Sequence, residues 1–352
     1  MKIEQNHFSK FLRENIKLNT LPSNKKILIT GSSGFIGNYL VECLVKVFKE
    51  KKIKVYGLDT MGTKISNTNF KFLKKNLYNL DRSNIPNIKF DYIIHLAGIP
   101  SPVYYKKFPL ETIYLNSELT RELLEISKKN KSKFIYFSSS EIYGNPFPKF
   151  IPTEESYLGN VSSISDRSCY DESKRMGETF TYIYKNNFKV DAKIIRPFNF
   201  YGDGMRLTDE RIIPRFFKQS YNNKNLTVFS NGQQTRSYTH IFDAIVMIIN
   251  IIFKGKKFVY NVGNPNEEVS AEIAKEFLAK HAVEKDTIDK IVQCILATKM
   301  EKEPSNKLEE VICDADCSHF GKDYFDEASE FLRQELIALD IKEYTPKEWR
   351  KE

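Results

Sequence analysis

One stretch constrains this chain more than any other: a short apolar run that breaks into evenly spaced glycines. Lys26-Ile27-Leu28-Ile29-Thr30 reads as a buried strand, and Gly31-Ser32-Ser33-Gly34-Phe35-Ile36-Gly37 turns it into a helix over Tyr39 to Phe48. Glycines at this spacing let a backbone approach a pyrophosphate at a helix N-terminus, where free amides and the helix dipole favour anions. The pattern, G-x-x-G-x-x-G, is one residue wider than the usual dinucleotide fingerprint. A second strand, Ile53 to Leu58, ends in Asp59. A carboxylate there accepts hydrogen bonds from ribose hydroxyls and repels a ribose phosphate, which favours NAD over NADP; a plain turn aspartate is the other reading.

The rest of the front half repeats this alternation. Phe70 to Leu73 reads as a third strand, with Asn76-Leu77 just beyond it, and Tyr92-Ile-Ile-His95-Leu96-Ala97-Gly98 as a fourth. A helix over Thr112 to Lys128 leads to a fifth, Phe134 to Phe137. Strands alternating with helices predict an α/β fold with a doubly wound parallel sheet and ligands at the carboxyl ends of its strands. At that end of the fifth strand stand Ser138-Ser139-Ser140-Glu141-Ile142-Tyr143-Gly144. A hydroxyl there can hydrogen-bond a substrate alcohol, and a carboxylate two residues on can enter the same cleft.

Tyr170 and Lys174 are four residues apart in a predicted helix. That spacing puts both on one face, where an ammonium lowers the phenol's pKa and the phenolate accepts a proton from an alcohol. Alone, such a pair is more often a solvated helix face. Its company decides: a strand over Ala192 to Ile195 follows, then Arg196-Pro-Phe-Asn199-Phe-Tyr-Gly202.

With TGxxGFIG (30 to 37), HLAG (95 to 98), SSSEIYG (138 to 144), YxxxK (170 to 174) and RPFNxYG (196 to 202) in order, the chain resembles the extended short-chain dehydrogenase/reductases, the NAD-dependent epimerase/dehydratase family of nucleotide-sugar enzymes. Within it, Arg167-Ser-Cys-Tyr170-Asp-Glu-Ser-Lys174-Arg175 and Gln234-Thr235-Arg236 are most similar to the UDP-glucuronate decarboxylase group. The resemblance implies a Rossmann-like domain with a small substrate lobe, NAD as cofactor, a nucleotide-sugar substrate and a homodimer paired through the helices Thr112 to Lys128 and Tyr170 to Lys185. NAD would be held by Gly31, Gly34, Phe35, Ile36, Gly37, Asp59, Asn76, Leu77, Leu96, Ala97, Gly98, Tyr170 and Lys174.

The roles it implies are specific. Tyr170, assisted by Lys174, takes the proton of the sugar C4 hydroxyl as its hydride leaves, and Ser139 orients that hydroxyl. A C4 ketone is beta to the C6 carboxylate, so carbon dioxide is lost easily. Glu141 would order the carboxylate or a water for reprotonation, and Arg236 would pair with an anionic part of the substrate. Ser140, Asn199 and Arg211 would face the sugar and nucleotide. Where 4,6-dehydratases carry an acidic residue, Ser140 stands, which argues against dehydration. The expected reaction is conversion of UDP-glucuronate to UDP-xylose through a 4-keto intermediate; the alternatives are a 4-epimerase or 4-dehydrogenase/dehydratase on another NDP-sugar, or a non-catalytic nucleotide-binding or hydrolase-related protein.

Composition excludes other classes. The formal charge of +9 over 352 residues is scattered, with no basic segment interleaved with aromatics, so nucleic-acid binding is not expected. The longest apolar run, Ile241 to Phe253, contains Asp243 and is too short to span a bilayer; it reads as a buried helix. With no signal-peptide core and no disulfide framework among its five cysteines, the protein is expected in the cytoplasm.

Residues 1–24 read as an extension with one short amphipathic helix (Phe8, Phe11, Leu12, Ile16) packed on the outside of the fold, and 25–264 as the NAD-binding domain with part of the substrate lobe. Residues 265–352 read as a helical segment resembling the distal part of an HD-type metal-dependent phosphohydrolase, without the upstream His and His-Asp metal ligands. Cys313-x-x-x-Cys317-x-His319 offers three ligands with no partner pair, so no metal site is expected.

Overall fold

The computed structural model describes residues 5–78, 80, 85–206, 208–222, 227, 237–263 and 285. The chain divides into two units, one comprising Met1–Asn225 with Ser237–Ser270 and the other Leu226–Arg236 with Ala271–Glu352. Every element below belongs to the first. Apart from Lys285, the HD-like segment, with the three-ligand cluster at 313–319, lies outside the described residues, as does Arg236.

Strand β1 (Lys26–Thr30) forms where its apolar block predicts, followed by α2 (Phe35–Glu42), β2 (Lys54–Asp59), β3 (Phe70–Lys74) and β4 (Tyr92–His95); helix α1 (Gln5–Asn15) precedes them. Three helices, α3 (Pro102–Lys107), α4 (Pro109–Asn116) and α5 (Glu118–Asn130), lead to β5 (Lys133–Phe137), and α6 (Ser168–Phe188) leads to β6 (Ala192–Pro197). Beyond them lie β7 (Asn199–Tyr201), α7 (Ile212–Tyr221), β8 (Tyr238–His240), α8 (Ile241–Lys254) and β9 (Val259–Val262). Seven strands form one parallel sheet in the order β3-β2-β1-β4-β5-β6-β9, and β7 pairs with β8 in a separate two-stranded ribbon.

Both faces of the sheet are covered, and strand parity shows how. Ile27, Ile29, Ile94, Ile135 and Ile195 join one apolar layer with α1, α2 and α8, while Leu28, Ile93, Phe134 and Ile194 join the other with α5 and α6. Successive side chains of a strand point to opposite faces, so a strand buried on both reads as the near-continuous apolar runs seen here. Ile241–Lys254 is the buried helix its composition predicts, and among the described residues no helix is long and apolar enough to cross a membrane.

Three elements differ from expectation, each for a local reason. The helix after the glycines starts at Phe35, capped by Gly34, and past Glu42 it widens into a π turn over Cys43–Val47. The helix over Thr112 to Lys128 is two helices broken at Ser117, whose hydroxyl and amide both donate to the Ile113 carbonyl at 2.6 and 2.9 Å. Such back-bonding by a serine competes with the helical ladder and bends it. The N-terminal helix is not an outer ornament: Phe8, Leu12 and Ile16 are buried, and Phe8 meets Tyr39 and Phe242 at 5.0 Å.

The strand order reverses beside β1, which has β2 on one side and β4 on the other. The loops leaving β1 and β4 therefore diverge and open a crevice at their carboxyl ends, the position at which doubly wound sheets bind ligands.

Candidate active site

At this crevice the glycine loop is built for close backbone approach. Gly31 has φ +74°, and a Cβ there would lie 2.7 Å from the Ala97 nitrogen; one on Gly37 would lie 2.2 Å from the Gly31 carbonyl. Only glycine fits either place. The Asp59 carboxylate, at the end of β2, accepts hydrogen bonds from the amides of Ser33 (2.9 Å) and Met61 (3.0 Å), so it braces the loop from the side where a ribose would lie. Leu96, Ala97 and Gly98 form the facing wall, Phe35 and Ile36 are half-buried at the start of α2, Leu77 is buried below, and Asn76 is exposed beyond β3, its side chain accepting from the Tyr78 amide. The Ser32 and Ser138 hydroxyls are buried without a hydrogen-bond partner.

A buried histidine ties this loop to the next layer. His95 Nδ1 lies 2.7 Å from the Thr30 hydroxyl and Nε2 3.0 Å from the Leu115 carbonyl. A carbonyl only accepts, so Nε2 carries the proton and the Thr30 hydroxyl donates to Nδ1. Burial and then the Lys174 charge push the imidazole down to about 3, and it stays neutral.

The catalytic candidates converge one strand over. Ser139 follows β5; its hydroxyl accepts from the Glu141 amide at 3.2 Å and lies near enough to Tyr170 to favour its phenolate. Tyr170 and Lys174 are both buried on the inner face of α6, where the Lys174 ammonium donates to the Phe137 carbonyl at 2.7 Å and lies 5.9 Å from the centre of the Tyr170 ring. Burial, rather than the Lys174 charge, dominates the Tyr170 phenol and pushes it up to about 12, with the Ser139 hydroxyl opposing it. Burial also pulls Lys174 down to about 7. Both shifts have one cause, since a dry site disfavours charge on either group.

Asn116 stands out among the residues that the sequence did not mark. Its amide donates to the Ser173 hydroxyl at 3.0 Å, while its own carbonyl oxygen is buried without a partner beside Gly98. Tyr105, from α3, stacks on Tyr170 with centroids 5.4 Å apart and planes 16° apart. Neither had a sequence signal beyond lying in a helix before the fifth strand. Arg211 pairs with Asp209 at 2.6 Å and its charge acts on Tyr170; Asn199 opens β7, and Ser140 begins the 3-10 turn after Ser139.

A family model described as the NAD dependent epimerase/dehydratase family matches residues 27–263, from β1 through β9. The chain belongs to this family. UDP-glucuronic acid decarboxylase 6 of Arabidopsis thaliana is 33% identical over 294 residues, covering 82% of this chain and 84% of its own. A UDP-glucuronic acid 4-epimerase mutant from Bacillus cereus, solved with a fluorinated UDP-glucuronic acid and NAD, is 30% identical with a TM-score of 0.58, covering 68% of this chain and 77% of that one. The NAD-dependent NDP-hexosamine 5,6-dehydratase TunA is 27% identical, TM-score 0.58, over 72% and 82%.

The family's members are NAD-dependent nucleotide-sugar enzymes, and NAD fits the residues present: two glycines whose missing side chains let the loop close tightly on β4 and on the first turn of α2, free hydroxyls on Ser32 and Ser138, and a carboxylate at the end of β2.

Proposed function

We propose that this epimerase/dehydratase-family enzyme decarboxylates UDP-glucuronate to UDP-xylose. The observation carrying the reading is a Ser139, Tyr170, Lys174 and Glu141 cluster at the carboxyl end of β5 and on α6, in a chain one third identical to UDP-glucuronic acid decarboxylases. Bound NAD supplies a reversible hydride acceptor. The Ser139 hydroxyl orients the sugar C4 hydroxyl, and Tyr170 removes its proton. Lys174 assists through charge, which its lowered proton affinity lets it gain or lose near neutrality. With a ketone beta to the carboxylate, the electrons of the breaking carbon–carbon bond flow into an enolate. Glu141, or a water it orders, stands ready for the proton that must reach C5, and Tyr170 then returns its proton as the ketone is reduced. The redox balance closes without net NADH.

A second reading has its own support. The Bacillus cereus protein named as a UDP-glucuronic acid 4-epimerase shares 30% identity, and epimerisation uses the same tyrosine and serine without loss of carbon. Carboxyl-labelled UDP-glucuronate separates the two: labelled carbon dioxide supports decarboxylation, and label retained in a UDP-uronate supports epimerisation. Arg236 is assigned to an anionic part of the substrate, and Ser140, Asn199 and Arg211 to its sugar and nucleotide. We also assign a homodimer, supported by the exposed apolar residues Leu110 and Ile113 on α4 and Met176, Tyr182 and Ile183 on α6, which is packed beside it. Free thiols at Cys43 and Cys169 suit the reducing cytoplasm, where we place the protein.

A further inference from the structure

One charged pair beside the site, Arg167 and Asp171, has no part in the chemistry above. Arg167, the residue before α6, lies three positions ahead of Tyr170, and its carbonyl accepts from the Tyr170 and Asp171 amides at 2.9 and 3.1 Å. Its side chain bridges two carboxylates from different elements. Nε donates to Asp171 at 3.2 Å, and Nη2 pairs with Glu141 on the turn after β5. The Tyr105 phenol, whose ring stacks on Tyr170, feels the charge of all three.

The two halves of the bridge are unequal. The Asp171 side chain is 9% exposed and its second oxygen has no partner, whereas Arg167 is 42% and Glu141 28% exposed. A buried carboxylate with one free oxygen is costly to leave unpaired, so Asp171 anchors the guanidinium on α6. From that anchor the planar fork reaches across to the more open Glu141. A lysine, a single point charge, cannot span both partners in this way. Glu141 and Asp171 each raise the proton affinity of Tyr170, and the charge that opposes them there is that of Arg211, so Arg167 meets the phenol only through the carboxylates it holds.

Resting on the decarboxylase reading of the site, we propose that Arg167 is a positioning residue: anchored by Asp171, it holds the Glu141 carboxylate beside the start of α6, in register with Tyr170, for proton delivery to the sugar. Its effect on turnover therefore runs through Glu141. The fold needs some charge compensation for Asp171, but no fold requirement places Glu141.

The test is a double-mutant cycle of Arg167→Gln and Glu141→Gln, with Arg167→Lys as the conservative partner, read as kcat and KM for UDP-glucuronate, together with crystal structures of the parent and Arg167→Gln proteins. We expect Arg167→Gln to lower kcat about 10-fold or more with KM changed less than about threefold, and to cost less than about threefold once Glu141 is already Gln. Arg167→Lys, which keeps the charge and the fold, should recover only part of the loss. In the crystal, Glu141 should leave its place beside α6. An equal loss in both Glu141 backgrounds, a rise in KM at constant kcat, or an unmoved Glu141 overturns the proposal. Absence of carbon dioxide release by the parent, with Glu141 still displaced in Arg167→Gln, would instead refute the decarboxylase reading and leave the positioning role standing.

Discussion

In the proposed reaction the chemistry turns on Tyr170, whose environment is costly for a base. Burial pushes it up to about 12, so a positive charge entering the cleft would favour the phenolate. Tyr170→Phe is expected to bind NAD as the parent does by calorimetry while losing turnover, and the parent-minus-variant phenolate absorbance should titrate at lower pH with NAD bound than without; parent-like turnover would remove Tyr170 from the mechanism. His95 gives a second, independent prediction. Its folded value of about 3 lies below the ordinary 6.5, so the unfolded chain binds the extra proton and stability falls as pH drops between those values. The ceiling of that loss is on the order of 5 kcal/mol. His95→Gln, which keeps one donor and one acceptor, should show a flatter urea-unfolding stability between pH 6.5 and 3; an unchanged slope would mean that His95 does not titrate there.

At the scale of elements, α6 carries Tyr170 and Lys174 and is set by one glycine. A Cβ on Gly177 would lie 2.1 Å from the Tyr136 hydroxyl and 2.4 Å from the Asn116 carbonyl, so α6 approaches β5 and α4 as closely as it does only because that side chain is missing. Gly177→Ala should destabilise the fold by about 1–3 kcal/mol, the usual cost of overpacking, and lower turnover by shifting the helix; a parent-like melting temperature would show that the contact is loose. Such a contact was not legible beforehand, whereas the strands were: β1 to β6 begin or end within a few residues of their apolar blocks, and in all but the half-exposed edge strand β3 burial on both faces leaves little freedom in which residues they use. Helix boundaries were harder to read. The break at Ser117 depends on a side chain competing for a backbone carbonyl, and the π turn after Glu42 has no compositional mark. The same divide runs through the site. Ser139, Tyr170 and the glycines could be read from local spacing, but Arg167 meets Glu141 across 26 residues, and only the approach of α6 to the turn after β5 brings them together.

For the whole molecule, the assigned dimer predicts an assembly of twice the 41.1 kDa chain by light scattering at micromolar concentration, and a monomer there would contradict it. The central claim concerns what one site does to one substrate. Purified protein with NAD and UDP-glucuronate, followed by proton NMR of the nucleotide sugars together with carbon dioxide and NADH, tests it most directly. The account predicts UDP-xylose and carbon dioxide in equal amounts with no net NADH. UDP-galacturonate without carbon dioxide, or unchanged UDP-glucuronate, would contradict it.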